Sequence, residues 1–320
     1  MILITGAAGY IGSVAMLLAN RYVDPVVLPG QSQAIGVDSF IKGAPRPDIL
    51  IHKIDINDVE SMTRIMRVRD IHAIINFAGI VGDPACIKYP VQAVNSNLEG
   101  VKALVEAAKR SGTVKKIVQA STCSVYGYSE EELIDENSQT KPLGIYAETK
   151  LLAEGVVKAS GIEYAILRFS TAFGWSPSPR FDLTVNEFVR DAFHQRLIEV
   201  YRKDDWRPYA HVADLAQVCI TAVNNSAVMG TYNVGWERNN HTKQMIIDTI
   251  SKYINIRTMY VDGQGMDRRN YKVNFDHLAR TLTWRRFQTI DDGILEIIDQ
   301  VAEGGIDADS QAYRSDYLNC

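Results

Sequence analysis

The stretch Ile2-Leu3-Ile4-Thr5-Gly6-Ala7-Ala8-Gly9-Tyr10-Ile11-Gly12-Ser13-Val14-Ala15-Met16-Leu17-Leu18-Ala19 decides the fold. A short apolar run is followed by three glycines at three-residue steps, and then by apolar residues at helical spacing: strand, tight turn, helix. Outward from it the alternation repeats. Apolar runs recur at 34–37, 49–51, 73–77, 116–120 and 164–168, with helical patterns between most of them. The clearest helices are predicted at 91–110, 146–159, 212–223 and 243–253. Strands alternating with helices form a parallel sheet covered on both faces, so the predicted class is α/β, a doubly wound parallel sheet.

Around residues 174–180 the composition shifts to Pro, Ser and Trp, which marks the exit from a first domain. Residues 214–233 read as one more helix and strand returning to the sheet. The predicted organisation is therefore 1–174 with 211–235 returning to it, a smaller discontinuous α/β domain from 175–210 and 236–285, and a carboxy-terminal helix and tail over 286–320.

At 320 residues the chain has room for about two domains without disulfide or metal staples. A hydrophobic fraction of 46% and a charged fraction of 22% exclude disordered and collagen-like chains. Net charge is −4 from 34 basic and 38 acidic residues, so no bulk positive field points to nucleic acid or an anionic membrane. Cys86, Cys123, Cys219 and Cys320 form no CxxC pair and the six histidines no cluster, so no metal site is expected. No apolar run approaches the ~20 residues that cross a bilayer, and the first residues do not read as a signal peptide. The expectation is a cytoplasmic protein with reduced thiols.

Gly6, Gly9 and Gly12, between a first strand and a first helix, let backbone N–H groups and the positive helix end meet a pyrophosphate without obstructing side chains. Tyr10 and Ile11 belong to the same turn. The next strand ends at Asp38, whose carboxylate can accept hydrogen bonds from a ribose diol and repel a 2′-phosphate. NAD is favoured over NADP, with Lys42 near enough in sequence to soften that discrimination. Asp55 and Ile56, after the third strand, are placed beside an adenine ring or in an ordinary strand-end turn.

Tyr146 and Lys150 lie four residues apart at a helix start and so share one face. A phenol near pKa 10 is a poor base at neutral pH, and lowering it by about three units takes roughly 4 kcal/mol. An ammonium and a positive nicotinamide ring beside the phenolate can supply this. Tyr-x-x-x-Lys occurs once among 15 tyrosines. It follows a strand whose carboxyl end carries the hydroxyls of 121–124, where open parallel sheets bind ligands.

The combined pattern resembles the extended short-chain dehydrogenase/reductase family, and within it the NAD-dependent nucleotide-sugar epimerase/dehydratase group. The residues that carry it are TGAAGYIG (5–12), NFAG (76–79), Asn97 in NLEG, STCSVYG (121–127), YAETK (146–150), LRFSTAFG (167–174), WRPYAHVAD (206–214) and YNVG (232–235). They span roughly residues 1–300. The resemblance implies a Rossmann domain carrying a smaller substrate domain, NAD as cofactor and a nucleotide-sugar as substrate.

It further implies a catalytic hydroxyl at Thr122, a base at Tyr146 and its lysine at Lys150, with Phe77, Ala78, Gly79 and Asn97 on the cofactor. Cys123 and Ser124 occupy places that are acidic in the related 4,6-dehydratases, which removes the acid–base pair for water elimination. Arg207 and Arg269 resemble arginines that meet a nucleotide diphosphate, although Arg268 leaves the second register open. Thr171 replaces a usual asparagine, and with Cys123 and Ser124 it is expected to face the substrate. Arg180 and Asn186, in SPRFDLTVN, resemble nucleotide-pocket positions, and VGDPACIKYP (81–90) is similar to the same bacterial subgroup. Cys86 is expected to be a buried small residue, and His211 to orient the loop beside Arg207.

The expected activity is 4-epimerisation through a transient 4-keto sugar. A C4 oxidoreductase of the same fold is the alternative, and a 4,6-dehydratase or a non-catalytic NAD-binding protein is disfavoured. The resemblance also implies a homodimer built on the helices near 91–110 and 146–159. Val101, Leu104, Val105, Ala108, Leu151, Leu152 and Val156 suit such a face, or one covered within the subunit.

Overall fold

The computed structural model describes residues 1–21, 34–39, 51–129, 132–262, 269–282 and 287–303. Lys42, Arg268, Cys320 and the tail from 304 onward lie outside them.

The strands are β1 (Ile2–Thr5), β2 (Ala34–Asp38), β3 (Ile51–Lys53), β4 (Ala73–Asn76), β5 (Lys116–Thr122), β6 (Glu163–Phe169), β7 (Thr171–Phe173), β8 (Leu197–Val200), β9 (Trp206–His211), β10 (Gly230–Val234), β11 (Asn240–Thr242) and β12 (Arg257–Tyr260). The helices are α1 (Tyr10–Arg21), α2 (Val59–Val68), α3 (Asp83–Lys88), α4 (Pro90–Val94), α5 (Gly100–Ser111), α6 (Ile145–Lys158), α7 (Thr184–Gln195), α8 (Val212–Asn224), α9 (Lys243–Ile250), α10 (Asp276–Leu282) and α11 (Ile290–Ala302).

A seven-stranded parallel sheet runs in the order β10-β6-β5-β4-β1-β2-β3. Its apolar strands follow from burial on both faces. Ile2 and Ile4 point to the layer of α1 and α8, with Val14, Met16, Leu215 and Cys219, while Leu3 points to Met62, Met66, Leu104 and Val105 of α2 and α5. The chain leaves β1 for β2 on one side and later returns to β4 on the other. That reversal opens a crevice beyond the strand ends, the binding position in a Rossmann sheet. After α8 the chain adds β10 to the sheet, paired with β6.

The predicted helix at 91–110 is divided. Its first part is α4, a π-helical turn spans Asn95–Glu99, and α5 completes it. Gly100 lies where a Cβ would sit 2.6 Å from Ile56 Cγ2, so the helix passes close beneath the third strand's exit. Of the residues suited to a face between two copies, Val101, Leu104, Val105 and Ala108 are buried inside the subunit. Leu152 of the same set is exposed, at 57%, and Ile87 at 71% and Val91 at 67% are exposed nearby.

Beyond residue 170 a second core forms around Phe173, Phe181, Val185, Phe188, Ile198 and Ile246. Helix α11 packs into it through Ile290, Ile294 and Ile297, after a capping box between Thr289 and Asp292. A further cluster joins Val125, Tyr126 and Ile134 to Tyr271, Val273 and Phe275, with bridges Tyr128–Asn270 and Ile134–Val273. Val125, Tyr126 and Ile134 thus pack against a segment well over a hundred residues later in the sequence.

Candidate active site

A cavity of about 530 Å³ opens at the carboxyl ends of β1, β2, β4, β5 and β6. Gly6, Gly9, Tyr10, Ile11, Gly12, Asp38, Asp55, Ile56, Phe77, Ala78 and Gly79 line one side of it. Thr122, Ser124, Tyr146, Lys150, Thr171, Arg180 and Arg269 line the other.

The three glycines answer to different constraints. Gly6 has φ +65°, and a Cβ there would lie 2.8 Å from the Ala78 amide nitrogen; at Gly12 a Cβ would lie 2.0 Å from the Gly6 carbonyl oxygen. At Gly9 the one neighbour is that same oxygen at 3.2 Å, so its bare side is the cavity. The turn is a cradle for a pyrophosphate at the start of α1. Asp38 Oδ2 accepts the Ala8 N–H at 3.0 Å, which fastens this carboxylate to the turn. Asp55 is exposed and accepts from the backbone and side chain of Asn57, at 2.8 and 2.9 Å.

Asn97 is placed differently from its expected cofactor contact. Buried in the π-helical turn, it accepts the Ile80 N–H at 2.7 Å and donates to Ile80 O at 2.9 Å and to Thr149 Oγ1 at 3.2 Å. It thereby joins the 77–80 loop to α6 between Tyr146 and Lys150. The turn presents Asn95 and Ser96 to the cavity, with Gln92 from α4, none of which the sequence singled out. Their only signal was a polar cluster within an otherwise apolar helical pattern.

Tyr146 and Lys150 are buried on one face of α6, and Thr122 ends β5 opposite them. The Thr122 hydroxyl acts to lower the Tyr146 phenol, but burial outweighs this and pushes the phenol up to about 12. Burial also draws Lys150 down to about 8, against the Glu154 carboxylate and Cys86. The expected lowering of the phenol is therefore not supplied by the protein's own groups. A cationic ring brought by a cofactor would supply positive charge beside it.

Cys123 does not reach the cavity. It is 1% exposed, its Sγ donates to Arg168 O at 3.2 Å, and burial raises its thiol far above the ordinary value. Ser124 does reach it, and its hydroxyl accepts from Arg269 Nη1 at 2.7 Å. Arg269 also pairs with Asp83 at 3.0 Å. Arg207 stands one layer back, its guanidinium 5.5 Å from the centre of the Tyr271 ring, and that ring lines the cavity. Tyr271 went unnoticed in the sequence although it lies two residues from Arg269. Arg180 forms a two-bonded pair with Asp182 at 2.8 and 3.0 Å, while Asn186 is buried behind it. Cys86 is buried, with burial pushing its thiol up to about 12. His211 is buried and bonds Glu296 at 2.8 Å, while the Arg207 guanidinium bonds Trp206 O at 3.0 Å.

Among the described residues no group of His, Cys, Asp or Glu could hold a metal ion, and no helix is long and apolar enough to cross a membrane.

The chain is similar to UDP-glucose 4-epimerase of Bacillus subtilis, with 30% identity over 260 residues, 73% of this chain and 76% of that protein. UDP-glucuronate 4-epimerase 6 of Arabidopsis thaliana is 28% identical over 246 residues, covering 70% of this chain but only about half, 51%, of that protein. The structure of MoeE5 in complex with UDP-glucose and NAD superposes with a TM-score of 0.81 at 21% identity, over 95% of this chain and 99% of the other. The model of the NAD dependent epimerase/dehydratase family matches residues 2–235. The glycine cradle, the Asp38 carboxylate and the Thr122, Tyr146 and Lys150 cluster fit that cofactor. The chain is an enzyme of the NAD-dependent epimerase/dehydratase family, and its cofactor is NAD.

Proposed function

We propose that this enzyme is a nucleotide-sugar 4-epimerase that acts through a transient 4-keto sugar. The observation that carries the reading is the convergence of Thr122, Tyr146 and Lys150 at the carboxyl end of β5, in one cavity with the glycine cradle. Bound NAD supplies hydride acceptance and return. Tyr146 takes the proton of the sugar C4 hydroxyl and later gives it back, and Thr122 holds the same hydroxyl through its own. Lys150 steadies the phenolate and the cofactor ribose. Arg269 and Arg180 face the diphosphate, sharing their charge with Asp83 and Asp182, and Arg207 supports Tyr271.

Cys123 and Ser124 speak against water elimination. One is turned into the protein and the other carries a hydroxyl bonded to Arg269, so neither brings a carboxyl beside Thr122 to protonate a leaving hydroxyl. A homodimer belongs to the same reading, its face formed by Ile87, Val91 and Leu152. So does a cytoplasmic location, which the free thiols of Cys86, Cys123 and Cys219 suit.

The test is to incubate purified protein with UDP-glucose or UDP-glucuronate and separate the epimers. Interconversion without added NADH is expected, and an absolute requirement for stoichiometric NAD or NADH overturns epimerisation in favour of net oxidation or reduction. Thermal shifts with UDP-, dTDP-, GDP- and CDP-sugars identify the nucleotide, because a bound ligand raises the melting temperature by mass action.

A further inference from the structure

The hydroxyl of Tyr10 lies on a seam between the cofactor cradle and the segment that carries Arg180. Tyr10 is the first residue of α1, one position after Gly9, and is 8% exposed. Its hydroxyl donates to Gly174 O at 2.6 Å and accepts from Asn186 Nδ2 at 3.2 Å. The same amide group donates to Gly174 O at 3.2 Å and to Arg180 O at 2.9 Å, while Asn186 Oδ1 accepts the Gly174 N–H at 3.0 Å. A second set of bonds runs alongside. Ser176 Oγ donates to the Tyr10 carbonyl at 2.6 Å, and the Ser13 and Ser176 hydroxyls lie 3.0 Å apart.

None of these bonds is needed to form a glycine turn, and a phenylalanine would fill the same space. A buried hydroxyl is costly unless it is bonded, and among the described residues this one is bonded to Gly174 and Asn186, on the segment that carries Arg180. Burial holds its phenol well above the ordinary tyrosine value, so it remains a neutral donor. Arg180's side chain is already fixed by Asp182. What remains to be set is its backbone, and Asn186 holds that carbonyl. Arg180 lines the same cavity as Tyr10 and Tyr146, and its charge acts on both.

We propose that Tyr10 and Asn186 are positioning residues that fix Arg180 relative to the cofactor cradle, so that the cradle and the nucleotide-sugar side of the cavity are set as one unit. The two residues act on substrate through Arg180, resting on the nucleotide-sugar reading above for the identity of the ligand. Tyr10 then serves the sugar side although it belongs to the cofactor turn in sequence.

The test uses holoprotein titrated with UDP-glucose by calorimetry. Tyr10→Phe, which deletes one hydroxyl, is expected to weaken binding about fivefold, with KM rising by the same factor and kcat changing less. In an Arg180→Ala background the same change is expected to alter binding less than about twofold, because residues acting as a unit are not additive. Equal losses in both backgrounds, or loss of bound NAD in place of sugar affinity, overturn the proposal. Amide hydrogen exchange across 174–186 gives a reading that needs no substrate: faster exchange in Tyr10→Phe is expected, and unchanged exchange overturns the brace. Wild-type protein that binds no nucleotide-sugar would sink the proposed function, while the exchange arm would still decide the brace.

Discussion

Glu154 and Arg168 form a buried ion pair directly behind the catalytic residues. Arg168 donates from Nε to Oε1 at 2.9 Å and from Nη2 to Oε2 at 2.8 Å, and the Ser121 hydroxyl adds a bond at 2.6 Å from the residue before Thr122. Glu154 follows Lys150 by one helical turn, so one face of α6 carries Tyr146, Lys150 and the pair's carboxylate. The Arg168 Nη1 continues the network to Tyr126 at 2.9 Å, and Tyr126 donates to Asn233 on β10 at 2.7 Å.

Glu154→Ala leaves the Arg168 charge buried without its carboxylate and is expected to cost about 3–5 kcal/mol in urea unfolding, whereas Arg168→Leu leaves Glu154 the Lys158 ammonium at 3.5 Å and the Ser121 hydroxyl and is expected to cost less. Burial alone would raise the Glu154 carboxyl, but Arg168 and Ser121 prevail and hold it below the ordinary carboxylate value. Its contribution is therefore present above the unfolded carboxyl pKa and lost as pH falls through the folded one. The wild-type advantage over Glu154→Gln should shrink on acidification; an advantage independent of pH in that range would contradict the pairing.

Tyr146→Phe is expected to lower turnover by about a hundredfold or more while bound NAD is retained. Loss of NAD together with activity would assign the phenol to cofactor binding in place of proton transfer.

Lys150→Met separates stability from function. The folded value of about 8 lies below the unfolded value of about 10.4, so the unfolded chain binds the additional proton between them and stability rises with pH through that window. The cost of burying the ammonium is therefore present in full below about pH 8. The variant should melt higher than wild type at neutral pH, the gain fading toward about pH 10, and should lose most of its turnover. A variant that melts lower at neutral pH would show that Lys150 is a net stabiliser.

Asp38→Ala removes an acceptor that is bonded to Ala8 and lines the cavity. NAD affinity should fall about tenfold, as for loss of a hydrogen bond to a charged group, and the preference over NADP should narrow. Calorimetry with both dinucleotides checks this, and an unchanged ratio would remove Asp38 from the ribose site.

Leu152→Asp with Ile87→Asp places charge on the exposed apolar face. Sedimentation should show a wild-type dimer reduced to a monomer of similar melting temperature, and a monomeric wild type would end the dimer reading.

The parts of the fold legible in the sequence were those written in local periodicity. β1, the glycine turn and α1 follow one another without interruption, and Tyr146 and Lys150 announce their shared face by spacing alone. What was not legible depends on contacts between distant residues. Tyr10 meets Gly174 and Asn186 across separations of 164 and 176 residues, so the turn motif could show the glycines but not the destination of the hydroxyl. Cys123 and Ser124 are neighbours in the 3-10 turn that follows β5, yet one bonds the Arg168 carbonyl inside the protein and the other Arg269 at the cavity. The apolar side of the helix at 91–110 was correctly seen, but periodicity does not say whether its cover is α2 of the same chain or a second copy.

Glu296, on the last helix described, accepts the Trp175 N–H at 2.7 Å and bonds His211 at 2.8 Å. Synthesis proceeds from the amino end, so the two halves of the cavity become available at different times. The glycine cradle, Asp38 and the catalytic face of α6 are all encoded in the first half of the chain. The anchor for residue 175, five positions before Arg180, emerges only after all of these. A nascent chain thus holds the means to grip its dinucleotide well before the sugar side of the cavity has its final fastening.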